Sequence, residues 1–283
     1  MKQKKKNPVL LRRQRQEWFR IGVQAVFFLL APSVYASAFT AVKAAFAALG
    51  QGLPLEWNEF YLQLMLVLVF TVLVGRFFCG WACAFGALGY WVYRLSQLVQ
   101  KKTGHKLPRL SEALVVRLQW CKYLVLALIL GLCFFGYSGL VSKYSPWTVF
   151  SLLRSGKLTL GNYALGCVPL ALILGGMALQ ERFFCQFLCP MGAIFALLPQ
   201  APFLRLERRA AACPTNCGAC RKNCPSALLL DNESPRQGEC FRCGRCSGIC
   251  PRGNLSTCGV MKGNELWLDT VKGVLLLALI LFL

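Results

Sequence analysis

Four cysteines in this chain recur as two equivalent pairs. The stretch "RFFCGWACAFGA", Arg76 to Ala87, returns as "RFFCQFLCPMGA", Arg182 to Ala193, with seven of twelve positions identical. Cys79/Cys83 and Cys185/Cys189 therefore share one spacing and one set of flanks. On a helix, residues four apart lie on one face, one turn from each other. Three kinds of chemistry suit such pairs. Each can be a redox-active dithiol taking electrons from a membrane donor. The four thiolates can gather around a metal or a further cofactor. Or they are small apolar residues packing helix ends together, as free cysteines often are.

Eight more cysteines fall in the 38 residues from Cys213 to Cys250. "CFRCGRCSGICP" holds Cys240, Cys243, Cys246 and Cys250 followed by Pro251, which is C-x2-C-x2-C-x3-C-P. In this run three thiolates on a tight loop face three corners of a [4Fe–4S] cube, and the fourth crosses to a second cube. "CGACRKNCP" supplies Cys217, Cys220, Cys224 and Pro225 in the same register, while Cys213 stands one residue earlier than the pattern asks, with Pro214 in its place. The expected ligand sets are Cys213, Cys217, Cys220 and Cys250 for one cluster, and Cys240, Cys243, Cys246 and Cys224 for the other. Paired C-x2-C units also suit tetrahedral zinc, but two quartets that each end in Cys-Pro favor iron–sulfur. Arg221, Lys222, Arg242, Arg245 and Arg252 surround these cysteines. Such charge raises a cluster's potential and favors an acidic partner; equally, it suits a basic surface lying on anionic lipid.

The elements that must position these thiols are apolar. Hydrophobic residues make up 56% of the 283 positions and charged ones 15%, against about 25% charged in soluble domains. A membrane helix takes about 20 apolar residues, and four candidates emerge: Ile21 to Ala41, kinked at Pro32; Phe60 to Val74, running on through the first cysteine element; Tyr123 to Val141; and Leu160 to Leu179, containing Pro169. With four spans, 28 of the 32 Lys and Arg fall on one side, which the positive-inside rule makes cytoplasmic. Both cysteine elements, the N-terminus and the cluster segment then share that compartment, and the protein is expected in the inner (cytoplasmic) membrane. The first apolar run lacks a small-residue cleavage site, so no cleavable signal peptide is expected.

The fold class expected is therefore an α-helical polytopic membrane protein joined to a small cytoplasmic bacterial-ferredoxin-like α+β domain with two clusters. Its parts are a basic segment 1–20, a transmembrane domain 21–205, a double-cluster domain 206–262 and an apolar segment 263–283 that is an interfacial anchor or a partial fifth helix. The net charge of +21 flanks apolar runs and no DNA-binding motif accompanies it, so nucleic acid is not an expected partner. One histidine, His105, excludes a bis-histidine heme within the chain and reads as a solvated loop residue. Cys121, Cys133, Cys167 and Cys258 have no partner spacing and read as packing. Ionizable residues are too scarce in the spans to form a transport path. Arg76 and Arg182 sit at the depth of a lipid headgroup or a quinone oxygen, and snorkeling to phosphate accounts for them equally well.

Two R-x-F-C-x3-C-P-x-G-A-like elements ahead of a double ferredoxin run resemble the NapH/NosR/CcoG group of membrane-bound polyferredoxins, often described as ferredoxin-type quinol dehydrogenases. The resemblance covers Arg76 to Pro251, and "YSPWTVFSLL", Tyr144 to Leu153, also resembles a segment of some relatives. It implies a path from the quinone pool through two [4Fe–4S] clusters to a redox partner protein. An assembly or regulatory role supporting a metalloenzyme is the alternative. The chain departs from the group at Ala84, where the group has the proline kept here as Pro190, and a more regular first element is expected there. Purified anaerobically, the protein is expected to be colored and to carry about eight iron and eight acid-labile sulfide per chain. About twelve would put a third cube on the repeat thiols, and a colorless zinc protein would contradict the assignment.

Overall fold

The computed structural model describes residues 8–54, 58–105, 107–108, 110–154, 160–201, 206–209, 213–214, 217–228, 237–257 and 265–281. Cys258 lies outside them. Helices α1 (Pro8–Leu30) and α2 (Val34–Gln51) meet at 61° across Pro32, where the proline expected to kink the first apolar run breaks it in two. Then come α3 (Glu59–Val74), a π-helical turn (Phe78–Ala82), α4 (Ala84–Thr103), α5 (Glu112–Leu118) and α6 (Cys121–Phe134). Short α7 (Ser138–Tyr144) and α8 (Pro146–Arg154) lead to α9 (Leu160–Leu179), α10 (Phe183–Phe187) and α11 (Pro190–Leu197).

Asn58 and Ser111 start α3 and α5 by accepting bonds from the Tyr61 and Leu114 amides. The third apolar run stops short of its expected end: α6 finishes at Phe134, and Gly136 at φ +86° turns the chain into α7. By length and composition Glu112–Phe134 suffices to cross a membrane, and the bent α1–α2 pair passes the same test when its two helices are taken together. The remaining two candidates are shorter apolar helices, Glu59–Val74 and Gly166–Leu179. All are apolar on their outer faces as well as their inner ones. Leu124 on α6 and Leu172 on α9 are 72% and 71% exposed while Cys133 and Met177, on the same helices, are wholly buried.

The cluster segment is small and mixed. Strand β1 (Leu206–Arg208) pairs antiparallel with β2 (Leu255–Thr257), with Leu206 opposite Thr257 and Arg208 opposite Leu255. Between them lie α12 (Ala219–Lys222), a 3-10 turn (Gln237–Glu239) and α13 (Arg245–Ile249). Leu206, Leu228 and Leu255 form a second core together with Cys220 and Cys240. The C-terminal apolar run is a helix, α14 (Glu265–Leu281), packed on α1 and α3 with Leu276 buried. It is part of the bundle rather than a detached anchor.

Close backbone approach holds α2 against α6. A Cβ built on Gly50 falls 2.0 Å from the Phe134 carbonyl oxygen, while one on Gly22 meets nothing within 4 Å. Gly50→Ala is expected to cost about 1–3 kcal/mol, whereas Gly22→Ala, inside α1, gains about 0.5–1 kcal/mol; thermal unfolding in detergent reads both.

Candidate iron–sulfur site

The two cysteine elements end their helices in the same way. Cys83 (φ −66°, ψ 121°) and Cys189 (φ −75°, ψ 112°) are both extended N-caps, and α4 starts at Ala84 as α11 starts at Pro190. The first element is thus no more regular than the second. Proline suits the first helical position because its φ is preset there, and alanine adopts that φ without it. Nor do the pairs lie along one continuous helix: the second thiol of each sits at the break. All four thiols are nonetheless buried and close enough for a charge on one to be felt at others. Tyr35 Oη lies 3.4 Å from Cys189 Sγ, which also accepts from the Gly192 amide at 3.2 Å.

Arg76 and Arg182 are not at a lipid surface. They are 0% and 1% exposed, and each crosses to the other element. Arg76 Nη2 donates to the Cys185 carbonyl at 3.3 Å. Arg182 donates to the Cys79 carbonyl through Nη1 and to the Gly80 carbonyl through Nη2 at 2.7 Å. Gly86 and Gly192 make room: a Cβ on Gly86 falls 3.0 Å from Arg182 Nη1, and one on Gly192 falls 2.9 Å from Arg76 Nη2. The left-handed backbone of Arg182 (φ 57°) sits at the start of α10.

The ferredoxin run docks on this clamp. The Phe241 ring faces both guanidinium groups, with Arg76 Cζ 4.7 Å and Arg182 Cζ 5.3 Å from its centroid. Trp81 Nε1 donates to the Arg242 carbonyl at 2.9 Å, and a Cβ on Gly80 falls 2.2 Å from the Phe241 carbonyl oxygen. Gln119 Nε2 holds the Ser226 carbonyl at 2.9 Å, and Gln186 holds that of Pro225, so the turn after Cys224 is pinned as well. Lys122, wholly buried, pairs with Glu239, which also receives Arg76 at 3.0 Å and the Tyr123 hydroxyl at 3.0 Å.

The eight late cysteines line two cavities. Cys224, Cys240, Cys243 and Cys246 line the inner one, beside Phe241 and Arg245 and against the helices. Cys213, Cys217, Cys220 and Cys250 line the outer one with Arg208, Arg252 and Asn254. Each quartet takes three cysteines from one run and one from the other. Among the described residues no group of three His, Cys, Asp or Glu side chains could hold a single metal ion. Four thiols around a cavity fit a four-iron cube, which spreads its ligands over a larger body than one zinc ion does. Burial pushes the Cys224 thiol up to about 12, and raises Cys240 and Cys246 as well. Metal loading must displace those protons. Cys213, one residue out of register, still reaches its cavity. Its slight desolvation is outweighed by hydrogen bonds from Asn254 and Arg208, each at 3.7 Å, and by the Arg208 and Arg252 charges, which draw its thiol down.

Neither cavity includes Cys79, Cys83, Cys185 or Cys189. Cys133 is buried packing and His105 is exposed, as expected; Cys121 and Cys167 are half-buried. Sequence reasoning missed Glu239, Phe241, Trp81, Gln119 and Gln186. Only Glu239 carried a trace, as an acidic residue beside Cys240 in a basic segment.

Two four-thiol cavities set against a helical bundle point to an iron–sulfur protein of the ferredoxin type. The 4Fe-4S binding domain family matches residues 59–104 and 164–205, the two regions that contain the paired thiols. An uncharacterized protein of Methanocaldococcus jannaschii is 31% identical over 196 residues, covering 69% of this chain and 76% of its own. A second from that organism is 29% identical over 201 residues, covering 71% and 72%. The ferredoxin-type protein NapH of Haemophilus influenzae is 28% identical over 200 residues, covering 66% and 63%. No solved structure shows significant similarity. The chain belongs to this family of ferredoxin-type iron–sulfur electron-transfer proteins. Glu239→Ala leaves two buried cations without their carboxylate and is expected to cost about 3–5 kcal/mol. Thermal unfolding in detergent measures it, and a cost under about 1 kcal/mol contradicts the pairing.

Proposed function

We propose that this protein is a multi-pass inner-membrane electron carrier that passes electrons between the quinone pool and a redox partner protein through two [4Fe–4S] clusters. The observation that carries this is the pair of four-thiol cavities, one of them pressed against the ends of apolar helices. Bound there, the clusters supply two one-electron acceptors, matching the two electrons a quinol releases with its two protons.

The packing supports four spans with the cluster domain on the basic, cytoplasmic side. The C-terminal ends of α3 and α9 meet the cluster loops through Arg76 and Arg182. The N-terminal end of α6 meets them through Lys122, and Gln16 of α1 abuts Gly244. Helices that alternate in direction thus present their basic ends to one side. Their exposed apolar faces suit lipid; α9 has 20 residues, and α3, with 16, reaches full span length when counted with the turn after it. The chain's residues do the rest. The cysteines hold the clusters, Phe241 lines the inner cavity while Trp81 holds the Arg242 carbonyl beside it, and the basic rim touches anionic lipid and an acidic partner.

Anaerobic protein in detergent, oxidized and then mixed with a quinol analog, is expected to lose cluster absorbance as it does with dithionite. Bleaching by dithionite alone overturns quinol oxidation by this chain.

A further inference from the structure

Among the described residues, the inner cavity is lined by Arg242, Arg245 and Lys272 with one carboxylate, Asp269, which pairs with Lys272, and further buried arginines stand behind its wall. Arg20, on α1, is 1% exposed, and its Nε and Nη2 have no hydrogen-bond partner. Its Cζ lies 4.5 Å from the Tyr90 ring centroid, and Arg245 faces the same ring at 5.5 Å. Arg245 lines the cavity and is paired with Glu181. Arg76 is paired with Glu239, a carboxylate already shared with Lys122. Arg182 donates to the Cys79 and Gly80 carbonyls and stands beside the Cys185 thiol. Among the described residues, neither Arg20 nor Arg182 has a carboxylate within ion-pair distance. Taking a cation out of water costs several kcal/mol unless an opposite charge offsets it. An anion near these groups offsets that cost, and the cavity at hand is the one that Arg245 and Phe241 line: Arg20 feels charge at Cys243, and Arg76 and Arg182 stand against the Phe241 ring.

A thiolate-ligated iron–sulfur cube is a net anion, and it gains one more negative charge on reduction. Buried cations near it stabilize the reduced form more than the oxidized one, in a medium where screening is weak. The outer cavity differs. The basic groups named there are Arg208, half-buried, and Arg252, exposed, beside the half-buried Cys213.

We infer that Arg20 and Arg182, backed by Arg76 and Arg245, form a built-in cationic cage that raises the reduction potential of the inner cluster above that of the outer one. This rests on the cluster assignment proposed above. The cage makes the inner cluster the electron acceptor at the membrane face, able to take electrons from a donor as weakly reducing as a quinol. Phe241 carries the cage to the cluster loop, since its ring faces both repeat arginines and its chain neighbor is Cys240. Tyr90 plays the corresponding part for Arg20 and Arg245. These arginines are tuning residues: they touch neither quinol nor iron, and act through charge.

The test is an EPR-monitored redox titration of the full chain in detergent, comparing wild type with Arg20→Gln, Arg182→Gln, Arg182→Lys and Glu181→Gln. At the applied potential that half-reduces the wild-type inner cluster, each Arg→Gln variant is expected to lower its reduced-to-oxidized ratio about tenfold, about 59 mV for a one-electron couple. Glu181→Gln is expected to raise the ratio, Arg182→Lys to stay near wild type, and the outer cluster to stay put in all four. A purely structural role would not reverse sign with the charge removed. If Arg182→Gln does not fold, Arg20→Gln and Glu181→Gln still give the opposed pair. An unmoved inner potential in Arg20→Gln overturns the inference, as do shifts of the same sign in the Arg and Glu variants. Loss of the inner signal from Arg20→Gln with the outer signal kept also overturns it, because that assigns the side chain to holding the cluster. Wild-type protein without iron would instead sink the functional proposal itself.

Discussion

A guanidinium group buried in a helical bundle must find acceptors, and the two repeat arginines find theirs in each other's element. Arg76 reaches the Cys185 carbonyl, and Arg182 reaches those of Cys79 and Gly80. This exchange ties the end of α3 to the end of α9. It requires glycine at 86 and 192, because a Cβ at either would crowd the incoming arginine. It also leaves one face of each guanidinium open, and both faces take Phe241. The position of the inner cysteine quartet follows from that contact.

The seam between bundle and cluster loops is built from carbonyls held by side chains rather than from apolar contact alone. Trp81, Gln119 and Gln186 each donate to a backbone carbonyl close in the chain to a cluster cysteine. Such bonds set distance and angle, which burial by itself does not. Three residues adopt strained backbone to make this fit: Arg182, Ala227 and Arg242 are left-handed non-glycines, at φ 57°, 47° and 50°. All three lie in or beside the docking seam, where the surrounding bonds hold them.

The duplication is partial. The family match falls once on α3–α4 and once on the region of α9–α11, and the local geometry at the second cysteine of each is the same. Beyond that cysteine the two copies diverge: α4 runs on for 20 residues, while α11 stops after eight and hands the chain to the sheet of the cluster domain. One copy therefore supplies a long helix, and the other supplies the exit to the cysteine-rich loops. The paired thiols stand at the joint between these roles, buried beside Tyr35 and outside both cavities.

Much of this protein was legible in one dimension. The periodicity of C-x2-C-x2-C-x3-C-P is local, so spacing over a dozen residues is enough to group the thiols expected to face one center. Apolar runs likewise announced α3, α6 and α9, because an apolar stretch of that length has few other uses. Ala84 misled, since helix starts tolerate alanine wherever proline would be preferred. Arg76 and Arg182 misled for a deeper reason. An arginine at the end of an apolar run has the same sequence signature whether it snorkels outward or turns inward. Only the meeting of two elements more than a hundred residues apart supplies the carbonyls that make the inward choice favorable. The same holds for Glu239 with Lys122, and for Arg20 above Tyr90: burial and pairing are properties of contacts between distant segments. Sequence alone therefore determined where the cysteines fall and which groupings their spacing favors. The tertiary structure alone decided which charges surround them, because a charge's environment depends on what packs against it from elsewhere in the chain.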